Sequence, residues 1–341
     1  MKIRYITAIA TALSALLLSS CTMESLVAPP DGQDVMIRIA AQTRATADGD
    51  AQDRYINSLR VLGYRMADQT LAFNETVALG SSNASGYNGK INVKTGRFII
   101  VFVANEHEDA AVSAALSGIT TTANNTLAYL EKQVAFSTAA FSVSKDIPMT
   151  ALKNNITIQG NDTLLDNGVP VTSSWGVTLQ RLGVRLDLTM TLYTSAFDNW
   201  FGSAGEKKIY FNNVPKKVSL FPGADNSADV YTNNEVFVTY TGSSPTAVDS
   251  KKTVILPRAI ILPESVFSPV GTKSKGLVMR IVESVDRTGV IASGNAAHGY
   301  TLPRNTYLDV TATVAGAADS EFTFNINPIY DWSGTDIGHE L

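Results

Sequence analysis

"WGVTLQRLGVRLDLTMTLYT", residues Trp175 to Thr194, alternates apolar with polar side chains in two registers. Val177 and Leu179 share one phase; Leu182, Val184, Leu186, Leu188, Met190 and Leu192 share the other. Successive side chains of a strand point to opposite faces, so such alternation reads as half-buried strand. The slip between Leu179 and Leu182 predicts a bulge or a short helical turn near Arg181.

The same period extends in both directions. "DVMIRIAAQ" (Asp34 to Gln42) puts Val35, Ile37 and Ile39 on one face. "SLRVLGYRM" (Ser58 to Met66) and "RFIIVFVAN" (Arg97 to Asn105) follow, the second apolar enough to be a central strand. "INVKTGRFII" carries Thr95-Gly96 and predicts a hairpin, while "ITIQG" (Ile156 to Gly160) reads as a short strand. Beyond Thr194 come "KKIYFNN", "EVFVTYT", "AIILPES", "GLVMRIVESV", "TYLDVTATVAG" and "EFTFNINPIYDW". Only Glu108 to Gly118 and Asn125 to Gln133 read as helices. So many strands between turn signals predict an all-β chain of antiparallel sandwiches. A seam is expected in Asn161 to Gly176, where Gly168, Pro170, Ser173 and Ser174 interrupt the pattern. That divides the body into an N-terminal sandwich, 54–170, and a C-terminal one, 171–341.

Composition narrows the function. Net charge is −4 with 17% charged residues, and Lys and Arg are scattered, so no basic stripe suggests nucleic acid. The single cysteine, Cys21, excludes an intrachain disulfide framework. Lys2 and Arg4 precede an uncharged run from Ile6 to Leu18, too short to cross roughly 30 Å of hydrocarbon at 1.5 Å per residue. Residues 1–20 therefore read as a secretory signal. Leu18-Ser19-Ser20-Cys21 resembles a lipobox, which predicts a cut between Ser20 and Cys21 and lipid on the Cys21 thiol. The lipid would anchor the precursor in the outer membrane.

Residues 21–33 read as a tether, because Pro29-Pro30 and Asp31-Gly32 disfavour regular structure. Residues 34–53 hold the first strand and a loop of small polar residues around Arg44 and Ala45, open to a trypsin-like protease. Flanked in this way, the first strand reads as an exchangeable edge strand. Its loss would uncover the groove filled by Val35, Ile37 and Ile39, each worth about 1.5–3 kcal/mol when buried. Such a groove favours the addition of another strand. Ile326, Ile329 and Trp332 are spaced as anchors along a C-terminal tail that could supply it.

No catalytic constellation is evident, and the chain reads as a non-enzyme with no cofactor and no metal. His107, His298 and His339 are far apart, with no His or Cys at ligand spacing. "EHEDAA" (Glu106 to Ala111) reads as an acidic helix start and "GADNSAD" (Gly223 to Asp229) as a turn-rich loop. A monomeric glycan-binding lipoprotein is the alternative function, with Trp200, Phe201 and Tyr210 as its aromatic platform.

The lipobox, the tethered first strand and the loop arginine together resemble the fimbrillins of Bacteroidetes, the major and minor fimbrial subunits. "KDIPMT" (Lys145 to Thr150), "VTLQRLGVRLDLTM" (Val177 to Met190), "ILPRAIILPES" (Ile255 to Ser265), "LPRNTYLDVTATV" (Leu302 to Val314) and "IYDWSG" (Ile329 to Gly334) are similar to that family as well. The resemblance implies two transthyretin-like β-sandwich domains in a subunit of an adhesive surface fimbria. It implies export as a lipoprotein, cleavage after an arginine, and joining to other fimbrial subunits by strand exchange, with host or bacterial surface ligands. By position, Cys21 matches the acylated cysteine and Arg44 the cleavage arginine. Asp34 to Gln42 matches the removed strand, and Asn325 to Leu341 the donor region. A lipid-retaining anchor subunit is the variant in which no such cut is used.

Overall fold

The computed structural model describes residues 31–43, 55–80, 84–142, 144–193, 207–233, 236–240, 246–248, 251–255, 260–282, 286–313 and 322–329. They form an all-β chain with two short α-helices, α1 (Ala110–Ser117) and α2 (Leu127–Gln133), among the described residues. Both lie within the stretches read as helical. The Asp109 side chain caps α1 by accepting from the Ala111 and Val112 amides, and Thr126 caps α2 through the Tyr129 amide.

The first half contains β1 (Asp34–Thr43), β2 (Leu59–Arg65), β3 (Leu71–Val77), β4 (Gly86–Lys94), β5 (Gly96–Ala104), β6 (Ala135–Ser137) and β7 (Met149–Gly160). It continues with β8 (Thr163–Asp166), β9 (Val169–Val171) and β10 (Trp175–Arg181). The main sheet runs β3-β2-β5-β7-β10-β1-β4, with β8 and β9 added beside β7. Only Gln180↔Thr150 and Arg181↔Met149 join β10 to β7. The sheet folds over at that corner, so that β3-β2-β5-β7 faces β10-β1-β4 across one core. Phe102 and Trp175 meet across it with ring centroids 5.5 Å apart, edge to face. On its other side, the β2-β5 layer is covered by α1 and α2 through Leu62, Val101, Val103, Leu116 and Leu130. Burial on both faces explains why "FIIVFV" is apolar throughout instead of alternating.

The second half contains β11 (Gly183–Tyr193), β12 (Lys207–Asn212), β13 (Val214–Pro215), β14 (Lys217–Ser219), β15 (Val230–Tyr231), β16 (Val236–Tyr240) and β17 (Thr246–Val248). Then come β18 (Lys251–Ile255), β19 (Ile260–Pro263), β20 (Val278–Ile281), β21 (Arg287–Val290), β22 (Thr306–Thr313) and β23 (Thr323–Ile329). One sheet runs β17-β18-β11-β22-β23, with β19 also on β11; the other runs β16-β12-β20-β21. Between them lies a core that includes Val184, Leu186, Leu188, Met190, Phe211, Met279 and Val310.

Three expectations need correction. The phase slip near Arg181 is neither a bulge nor a helical turn: β10 ends at Arg181 in the first sheet and β11 begins at Gly183 in the second. Each register serves its own core, and Leu182 is the switch. The first sheet thus reaches Arg181, beyond the seam expected at Asn161 to Gly176. Secondly, β4 and β5 are consecutive but unpaired, so Thr95-Gly96 makes no hairpin. Gly96, at φ 136°, carries the chain from one layer to the other, while Thr95 hydrogen-bonds the backbone of Gly32 and Gln33 instead. Thirdly, the sandwiches are not wholly antiparallel. β1 runs parallel to β10, and β11 parallel to β22, because long crossovers separate the members of each pair.

The halves are joined by hydrogen bonds as well as by chain. β6 pairs with β14, and the buried Arg304 reaches elements of both sandwiches. Its guanidinium forms a paired contact with Glu264 and donates to the Leu220 carbonyl at 3.0 Å and to Ser219 and Phe221 carbonyls at 2.9 Å. Thr150 at the start of β7 is within 3.4 Å of it.

Candidate strand-exchange site

β1 is built as an amphipathic strand. Ile37, Ile39 and Ala41 are buried in the first core, Val35 is half-buried against it, and Arg38 and Gln42 face outward. It pairs antiparallel with β4 along its length, from Asp34↔Lys94 to Gln42↔Gly86. It pairs parallel with β10 only over Ile39↔Trp175 to Thr43↔Leu179. Its first half is held on that side by the Asn161-Asp162 turn: Met36 N donates to Asn161 Oδ1 at 2.9 Å, and Asp162 N donates to the Met36 carbonyl at 2.8 Å. The expected edge strand is therefore an interior one, and β4 is the edge. Val35, Ile37 and Ile39 do share the inward face, as their alternation requires.

At the other end, β23 pairs only with β22 among the described residues and is the last strand of its sheet there. Ile326 is half-buried against the second core and lies opposite Val310, while Ile329 is paired with Tyr307. The donor region expected from Asn325 onward is thus, as far as Ile329, a strand of this chain's own sandwich. Ser20, Cys21, Arg44, Ala45 and Trp332 lie outside the described residues, as do Trp200 and Phe201. Tyr210 is a half-buried member of β12, opposite Arg280 and Phe237 in register.

No protein-family model and no curated protein matches the sequence. Solved structures do match in shape. The tip fimbrial protein Mfa3 from Porphyromonas gingivalis, with a C-terminal truncation, is 16% identical; the match covers 88% of this chain and 100% of that one, with a TM-score of 0.53. A candidate cell adhesion protein from Parabacteroides distasonis is 15% identical, over 91% and 99% of the two chains, with a TM-score of 0.56. A fimbrial assembly protein from the same organism is 11% identical, over 87% and 96%, with a TM-score of 0.50. The fold is that of Bacteroidetes fimbrial proteins.

Within this fimbrial fold, the structure brings together residues that sequence reasoning kept apart. The acidic stretch Glu106 to Ala111 does start a helix, with Asp109 as the cap of α1, while Glu106 is buried and accepts from Arg60 Nε and Nη2, both at 2.7 Å. Burial works against the Asp109 charge, yet hydrogen bonds from Ser137, Val112 and Ala111 outweigh it and hold its carboxyl below the usual range. His107 is not isolated either. Its Nε2 lies 3.4 Å from Glu108 Oε1 and 3.3 Å from Asp146 Oδ2. Neighbouring residues diverge along a strand, but His107 and Glu108 sit in a 3-10 turn (Glu106–Glu108) that aims both at Asp146. In the Gly223 to Asp229 loop, Asp225 accepts from Ser227 and Asp229 pairs with Lys216, as a turn-rich loop requires.

Proposed function

We propose that this chain is a structural subunit of an adhesive cell-surface fimbria. It is exported as a lipoprotein acylated at Cys21, cleaved between Arg44 and Ala45, and polymerised by donor-strand exchange. The observation that carries this reading is the place of β1. A strand whose inner face completes a core, and which lies within ten residues of the loop arginine, leaves a groove between β4 and β10 when the chain is cut there. The incoming strand is the segment 330–341 of a neighbouring subunit, which follows β23. Resemblance in fold to a tip fimbrial protein and to a fimbrial assembly protein supports the same reading. The lipid holds the precursor at the outer membrane until the cut releases it, and the work of the chain is structural, not catalytic.

Terminal sequencing and intact mass of the surface form test this. A start at Ala45, with Arg44→Ala trapping an acylated, unpolymerised precursor, is the expected result. An acylated Cys21 start in assembled fimbriae would instead make the chain a lipid-retaining anchor. Removal of residues 330–341 is expected to leave a folded subunit that does not elongate, and normal filaments from that truncation would overturn the donor assignment.

A further inference from the structure

We propose that His107, Glu108 and Asp146 form a binding site for a zinc-class divalent cation at one end of the first sandwich. One ligand atom from each of the three lies within 4.8 Å of the others. Donors held about 2.0–2.1 Å from a tetrahedral zinc ion are about 3.3–3.4 Å apart along the edges of the tetrahedron. The separations of His107 Nε2 from Glu108 Oε1, 3.4 Å, and from Asp146 Oδ2, 3.3 Å, match two of those edges. The two carboxylate oxygens lie within 4.8 Å of each other, so small side-chain rotations would gather all three around one ion.

The surroundings fix each ligand. Ser58 Oγ lies 3.0 Å from His107 Nδ1; in the tautomer that carries its proton on Nδ1 the serine oxygen accepts it, and Nε2 would offer its lone pair to the ion. Asp146 Oδ2 accepts from Asn57 Nδ2 at 2.6 Å, and Glu108 Oε1 accepts from the Asp146 amide at 3.0 Å. Lys145 Nζ approaches the other Glu108 oxygen, Oε2, at 3.7 Å, on the far side of the carboxylate. Such outer partners orient metal ligands and set their affinity. The two carboxylates are mostly buried, with side-chain exposures of 16% and 13%, whereas the imidazole is 44% exposed. The fourth position thus opens to solvent, where water or an outside carboxylate would complete the tetrahedron. One imidazole nitrogen with two carboxylate oxygens suits zinc; calcium takes six to eight oxygens and magnesium a near-octahedral oxygen shell.

The site ties separate parts of the chain. His107 and Glu108 follow β5, Asp146 precedes β7, and Asn57 and Ser58 lead into β2. The Asn105 side chain braces the same place, donating to the Tyr55 and Ile147 carbonyls and accepting from the Asn57 amide. A bound ion would staple this end of the sandwich just ahead of β2.

The test is equilibrium dialysis of zinc chloride against the untagged chain from residue 21 carrying Cys21→Ser, which removes the competing thiol, with bound metal counted by mass spectrometry. One saturable equivalent is expected, with at least a ten-fold loss of affinity in His107→Gln and in Asp146→Asn, and none in His298→Gln. Calcium chloride in excess is expected not to displace it. Because the His107 ring is partly exposed, His107→Gln should keep the circular dichroism spectrum of the parent and is the deciding variant if Asp146→Asn fails to fold. Absence of saturable zinc binding, equal affinity for calcium, or unchanged affinity in folded His107→Gln would each overturn the assignment.

Discussion

At Gly63, where β2 shifts register against β3, a Cβ atom would lie 2.2 Å from the Phe73 ring. That ring is itself held edge to face against Phe98, with centroids 5.4 Å apart. Gly63→Ala is therefore expected to destabilise the chain by about 1–3 kcal/mol through overpacking, read from the midpoint of urea unfolding. An unchanged midpoint would mean that Phe73 swings aside without loss. Nothing in "SLRVLGYRM" announces this requirement, since the ring comes from the next strand. The same blindness applies to charge. Tyr307 has its phenol pushed up to about 12 by burial and then by its hydrogen bond to Asp187, which lies on the neighbouring strand β11 and is paired with Arg185. His107 looked solitary because Asp146 reaches it only through the fold. Residue types and spacing reveal a site when its members are close in sequence, and these partners are not.

Among the elements, the strands themselves were the most legible. The alternation in Asp34 to Gln42 predicted both a strand and its buried face. The phase slip in Trp175 to Thr194 located a break near Arg181, although that break is a passage between sheets and not the expected bulge or helical turn. Their neighbours were not legible, because pairing between distant strands depends on which core each one completes. Polar flanks suggested that β1 lies at an edge, yet it fills an interior slot between β4 and β10. That placement makes its removal more costly, and its replacement more favourable, than an edge position would. A synthetic peptide of Asp34 to Thr43, DVMIRIAAQT, is expected to bind the chain beginning at Ala45 and to raise its melting temperature. The same peptide with Ile37→Asp and Ile39→Asp should do neither, because two buried apolar contacts worth about 1.5–3 kcal/mol each become charged. Equal binding of both peptides, or of neither, would show that the slot is not what the strand recognises.

For the molecule as a whole, three of the phrases that carried the family resemblance meet at one buried point. "KDIPMT" supplies Thr150, "ILPRAIILPES" supplies Glu264, and "LPRNTYLDVTATV" supplies Arg304. Together with the carbonyls of Ser219, Leu220 and Phe221, they lock the second sandwich to β7 of the first. The motifs thus report the joint between the sandwiches. Sequence could identify them but not say what they do, because the ion pair spans residues forty positions apart. Arg304→Ala strands the Glu264 carboxylate in the interior and is expected to cost about 3–5 kcal/mol in chemical denaturation. A loss well below 1 kcal/mol would mean that other groups take over from the guanidinium. The slot occupied by β1 has a last consequence at this scale. Since β1 is antiparallel to β4 and parallel to β10, those two strands run opposite to each other. A strand inserted in either direction would meet one ladder of each kind, but only the direction of β1 makes the longer ladder, that to β4, the antiparallel one. The backbone of the slot thus carries an arrow of its own, and a fibre built through it would take its polarity from that arrow as well as from side-chain fit.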